Sequence, residues 1–199
     1  MIALSSIISG PIGIYYAFAI FLSVIIHEYA HAIAASSRGF TTSGITIHGF
    51  GGMANITGLA TANQRDVAII ALAGPLANAV VAGIMLPMTT IVLNTGLTTL
   101  YTICNILLLS NIYMAIVNMA PVYPLDGGKA LSALLKIHFG YYKSEQITQR
   151  ICAIFLIAMW IVTLSHLHSL IETTILLSII GIISLSLNKK KDIDYSKVD

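Results

Sequence analysis

An apolar helix with His27, Glu28 and His31 at its centre constrains this chain more than any other feature. The stretch Ser23 to Ala35 reads SVIIHEYAHAIAA and contains an H-E-x-x-H motif. Helix positions i and i+4 share a face, so both imidazoles can address one metal ion. Glu28, next to the first histidine, is then placed to act as a base on water rather than as a ligand. In a lipid-embedded helix every ionisable group must be paired, ligated or hydrated, so three of them within five positions are too costly to be structural filler. A soluble helix bears no such cost, and the same motif there would carry less weight.

The arrangement suits a zinc peptidase. The setting is membranous: of 199 residues, 57% are hydrophobic and 9% charged, with a mean hydropathy of +0.88. That composition describes a polytopic membrane protein. A net charge of +2 gives no ground for a nucleic-acid partner. Cys104 and Cys152 sit in apolar stretches without CxxC spacing and are expected to be buried, inert thiols rather than a disulfide or thiolate metal site. No basic region precedes the first apolar stretch, and no cleaved signal peptide is expected.

Residues 1–10 are too short to span and are expected to form an interfacial lead-in, broken off by Pro11 and Gly13. The first spanning helix runs from Ile14 to about Arg38, and small residues crowd its second half, where neighbouring helices can approach closely. Residues 40–64 lose helical periodicity. Strands are expected over Gly44 to His48 and Met53 to Thr57, around a glycine-rich turn at Gly49, Phe50, Gly51 and Gly52. Non-helical backbone at membrane depth is tolerated when buried in protein or lining a watery cavity, which here would adjoin the metal.

Val67 to Leu93 is an uncharged run holding Ala73-Gly74-Pro75-Leu76-Ala77-Asn78, where the proline frees a carbonyl and kinks the helix. Leu97 to Ala120 is a further span, with Asn111 and Asn118 on one face; interhelical hydrogen bonding is the expected role of Asn111. In Asn118 to Gly128, Pro121, Pro124, Gly127 and Gly128 break regular helix and leave Asp126 in a rigid turn, from which its carboxylate can meet the motif helix. Lys129 to Arg150 reads as amphipathic and cytosolic. Spans follow at about Ile151 to Ser165 and Leu170 to Leu187, then a polar tail.

With five spans, Arg38, Arg65, Lys129, Lys136, Lys143, Arg150, Lys189, Lys190, Lys191 and Lys197 all fall on one side, so the N-terminus is expected outside and the C-terminus in the cytosol. At 1.5 Å per residue the motif lies roughly 10 to 16 Å below the cytosolic end of its helix. His166, His168 and Glu172 fall on the outer side, away from the motif, and read as a solvated loop. His138 reads as solvated too. His48 is closer to the chemistry, as a local hydrogen-bonding group or a further ligand.

His27-Glu28-Tyr29-Ala30-His31, then Ala73 to Asn78, then Asn118 with Pro121, Pro124, Asp126, Gly127 and Gly128, in that order over residues 20–135, resemble the site-2 proteases, which are intramembrane zinc metalloproteases. The resemblance implies one zinc held by His27, His31 and Asp126, with Glu28 as general base and Asn118 helping to stabilise the oxyanion. Phe50-Gly51-Gly52 is similar to the family's membrane-associated strand region, which meets substrate. A span that usually precedes the motif helix is missing or reduced to residues 1–10, and no PDZ or CBS regulatory domain is recognisable; a regulatory partner is not identifiable. The physical reading agrees: three protein ligands leave zinc a fourth position for water, and an amide donor can meet developing negative charge.

The expectation is therefore an all-α polytopic membrane protein with about five transmembrane helices and a small β-hairpin insertion. It forms a single domain over 1–199, with a core at 12–135, C-terminal helices at 147–188 and a cytosolic tail at 189–199. As a multi-pass protease of the cell membrane, it would cut a transmembrane protein substrate within the lipid bilayer. An inactive relative that escorts membrane helices would not need all of His27, Glu28, His31 and Asp126. A metal or ion transporter would need polar residues through to the outer side, whereas Ile14 to Ile26 offers Ser23 and two tyrosines.

Overall fold

A computed structural model describes residues 11–48, 51–166, 175 and 177–182. Helix α1 spans Pro11–Ser37, followed by strands β1 (Thr41–His48) and β2 (Gly51–Thr57), a 3-10 turn (Leu59–Thr61), α2 (Gln64–Leu93), α3 (Thr98–Asn118) and α4 (Asp126–His166). Among the described residues, four helical segments are long and apolar enough to cross a membrane: Gly13–Ser37, Gln64–Leu93, Thr98–Asn118 and Asp126–Thr163. The expected last span, Leu170 to Leu187, lies largely outside the described residues, as do residues 1–10, the tail, and His168 and Glu172.

Local chemistry sets the boundaries. Proline opens α1, where its missing N–H is not needed. The helix closes at Gly39, whose φ of 83° is left-handed, with Gly39 N donating to Ser36 O and Phe40 N to Ala35 O, both at 3.0 Å. Asn63 begins α2 by accepting from Arg65 N at 3.1 Å, with Asp66 favourably placed in the first turn. Pro75 and Pro87 sit inside α2, which continues through both. Gly96, at φ 75°, turns the chain into α3.

The chain divides into two compact units. In the first, the described residues up to Ala62 together with Leu72–Asn118, α1 packs against α3 and both strands. The strands pair antiparallel from Thr41↔Thr57 to His48↔Gly51, with a bulge between Thr42 and Gly44. Both are longer than expected, because the β-branched Thr41 and Thr42 extend β1, and Gly51 and Gly52 join β2 instead of the turn.

The second unit holds Asn63–Ala71 and the described residues from Met119 onward. Residues 119–125 form a turn with a cis Tyr123–Pro124 peptide, closed by Leu125 N donating to Val122 O at 2.8 Å. Helix resumes at Asp126, so Asp126, Gly127 and Gly128 occupy the first turn of α4, not the turn before it. The glycines serve close approach rather than helix breaking: a Cβ on Gly127 would overlap Met119 O, and one on Gly128 would stand 2.7 Å from Val122 O. The expected boundary between an amphipathic stretch and a span at Ile151 is absent; one helical run continues to His166, broken at Gly140 (φ 72°, ψ 175°). Beyond the break, Trp160 Nε1 donates to Ser178 Oγ at 2.7 Å, and Gly181 packs directly on Leu156. Cys104 and Cys152 are buried and unbridged, as expected.

Candidate metal centre

Ser23, His27 and His31 recur every fourth residue of α1 and are all buried. The imidazoles of His27 and His31 pack edge to face, with centroids 4.7 Å apart and Nε2 atoms 3.1 Å apart. Two histidine nitrogens on one tetrahedral zinc, at bond lengths of about 2.0–2.1 Å, stand roughly 3.3 Å apart. The pair therefore has the spacing of two ligands converging on one ion. Gly74 faces them from α2: a Cβ there would overlap His31 Nε2 and lie 2.6 Å from His27 Nε2. No other residue leaves that space for the rings.

The other nitrogen of His27 is held from the same helix. His27 Nδ1 lies 2.6 Å from Asn78 Oδ1, and Asn78 sits one turn beyond Gly74. Asn78 Nδ2 donates to Asn111 Oδ1 at 2.7 Å and to Ser23 O at 3.2 Å. Asn111 Nδ2 donates to Ser23 Oγ and to Leu107 O, both at 2.9 Å, and Ser23 Oγ donates to Ala19 O at 2.7 Å. Asn78, Asn111 and Ser23 are each 0% exposed, and among the described residues Thr42 Oγ1 is the buried side-chain polar atom without a partner, so this network is complete. Interhelical hydrogen bonds within membranes average about 0.6 kcal/mol, a modest stabilisation for three buried polar side chains.

Asp126 is 5% exposed, and its Oδ1 accepts from Lys129 Nζ at 3.0 Å across one helical turn. His27 and His31 belong to the first unit and Asp126 to the second, and all three are buried. Two imidazoles and a carboxylate are a donor set suited to catalytic zinc.

Glu28 is buried at 7% exposure, beside His27 in sequence. Asn118, expected at the oxyanion, is half-buried, and one of its amide hydrogens goes to Met114 O of its own helix at 3.0 Å. His48 ends β1, with its side chain outside the described set. His138 is exposed, as expected. Asn111 makes the expected interhelical bonds. Sequence reasoning missed Gly74, Asn78 and Ser23 as parts of this centre, although the four-residue spacings Ser23–His27–His31 and Gly74–Asn78 carried the signal.

The model of peptidase family M50 matches residues 15–99 and 87–162. A zinc metalloprotease of Methanocaldococcus jannaschii is 30% identical over 135 residues, covering 66% of this chain and 38% of that protein. A Synechocystis protein, provisionally named a zinc metalloprotease, is 30% identical over 134 residues, covering 62% of this chain and 32% of its own length. The chain thus spans about a third of the length of these relatives. The fold is similar to the site-2 protease structure from Methanocaldococcus jannaschii, with a TM-score of 0.61 at 24% identity, covering 90% of this chain and 82% of that one.

Proposed function

Because the chain belongs to peptidase family M50, zinc metalloproteases of the site-2 protease kind, we propose that it hydrolyses peptide bonds within or near the transmembrane segment of membrane-anchored proteins. The observation that carries this reading is the buried pair His27 and His31, with Nε2 atoms 3.1 Å apart on a helix long and apolar enough to cross a bilayer; the carboxylate of Asp126 is the third ligand the reading assigns. In this reading His27, His31 and Asp126 hold one zinc, Glu28 is the general base and Asn118 is an oxyanion donor. Zinc, when bound, supplies Lewis-acid polarisation of the scissile carbonyl and eases deprotonation of water.

The protein's own groups do the rest. Glu28 takes a proton from the attacking water and returns it to the leaving amine nitrogen. Asn118 spends one amide hydrogen on Met114 O and keeps a second to donate to the developing negative charge. A substrate helix shields its peptide bonds by its own hydrogen bonds. Pairing of an unwound segment with the Ile45 to Ile47 edge of β1 would expose them, as strand addition does elsewhere.

The same reading treats residues 1–199 as one protease domain, with the N-terminus outside, the C-terminus cytosolic and the centre opening toward the cytosol, on the strength of the one-sided basic residues. The test is purified protein incubated with a panel of single-span substrates, with and without chelator. Chelator-sensitive products whose masses place the cut in or beside the span are expected; no cleavage across the panel would point to a helix-binding role instead.

A further inference from the structure

We propose that Asn78, locked by Asn111 and Ser23, is the positioning residue that fixes His27 in the tautomer whose Nε2 carries the lone pair for the metal. The inference rests on His27 being a ligand, as above. Its basis is the direction of each hydrogen bond in the buried network, which backbone carbonyls decide.

Leu107 O can only accept, so the Asn111 side-chain atom 2.9 Å from it is the amide nitrogen, and Asn111 Oδ1 is therefore the atom facing Asn78. Asn78 must meet that oxygen with its nitrogen, and the same nitrogen meets Ser23 O, a second obligate acceptor. Both Asn78 amide hydrogens are thereby used. The Asn78 atom facing His27 is its carbonyl oxygen, 2.6 Å from Nδ1, and can only accept. His27 Nδ1 must then carry the hydrogen, which leaves the lone pair of a neutral ring on Nε2, the nitrogen aimed at His31 Nε2 and at the space kept open by Gly74.

Ser23 completes the lock. Its hydroxyl donates to Ala19 O, so it can only accept from Asn111, and turning the Asn111 amide over would set oxygen against both Ser23 Oγ and Leu107 O. Three obligate acceptors, Ala19 O, Leu107 O and Ser23 O, thus set the proton position on a ring that touches none of them directly. Without the lock, a neutral imidazole is free to place its hydrogen on Nε2, where it blocks ligation.

The test uses the full-length chain in detergent micelles, stripped of metal by chelator, with histidine-selective 15N labelling and His27 assigned by its loss in His27→Gln. The wild type should show His27 protonated at Nδ1. Asn78→Leu, of similar size and without an acceptor, should lose that preference and bind zinc about 10- to 100-fold more weakly in chelator competition. Asn78→Asp keeps the acceptor and should keep the Nδ1-protonated ring even where its thermal stability falls, an outcome that simple packing would not give. A wild-type His27 protonated at Nε2, or unchanged zinc affinity in folded Asn78→Leu, would overturn the proposal. Neither readout needs a substrate, so the result stands apart from whether the protein is a protease.

Discussion

Gly74 lies so close to His31 that a single methyl group on it would overlap His31 Nε2. The contact is between a helix backbone and the Nε2 edge of a ring, so relief must come from the ring. Gly74→Ala should therefore displace both imidazoles, with about 1–3 kcal/mol of overpacking. Elemental analysis of the purified variant should find zinc largely lost, while thermal melting still shows a folded protein. Full zinc occupancy would mean that the helices separate more easily than this contact implies.

Zinc content also tests the ligand set. About one zinc per chain is expected, and His27→Ala, His31→Ala and Asp126→Ala should each abolish tight binding, because a catalytic site with three protein ligands cannot spare one. Should Asp126→Ala retain its zinc, the carboxylate is not a ligand, and His48 becomes the next residue to replace.

Glu28→Gln separates binding from catalysis. The amide has the size of the carboxylate but cannot take a proton, so folding, zinc and capture of a membrane helix should survive. Cleavage should fall by about 10²- to 10⁴-fold, the usual contribution of a general base. A near wild-type rate of product formation would remove Glu28 from that role.

Topology follows from the basic residues. A reporter fused after Asp199 should be cytosolic, and one inserted at Gly96 should be outside. Both reporters on one side would show an even number of crossings between those points and refute the five-span arrangement.

The motif helix with its paired histidines and the hairpin were legible because each rests on a strong local signal: an i, i+4 pair in an apolar run, and loss of helical period in a glycine-rich segment. What was hidden depended on neighbours distant in sequence. Gly127 and Gly128 read as helix breakers, but they open α4, because their missing side chains let the helix start press against Met119 O and Val122 O. The run from Lys129 to Ser165 read as two elements because its polarity changes along its length, whereas backbone hydrogen bonding respects only dihedral angles and yields solely at Gly140. Asn78 read as one letter of a motif, and only the hydrogen-bond partners of its amide reveal the task.

The break at Gly140 also settles a matter of length. A straight helix of 41 residues would be about 60 Å long, roughly twice the thickness of a bilayer's hydrocarbon core. Divided at the glycine, the later part comes to roughly 40 Å, the reach of a tilted crossing with a polar overhang, and the earlier part to about 20 Å, too short to cross at all. The segment that begins with Asp126 is thus released from any duty to span, and its axis can be chosen by how its first turn packs on residues 119–125 rather than by the membrane.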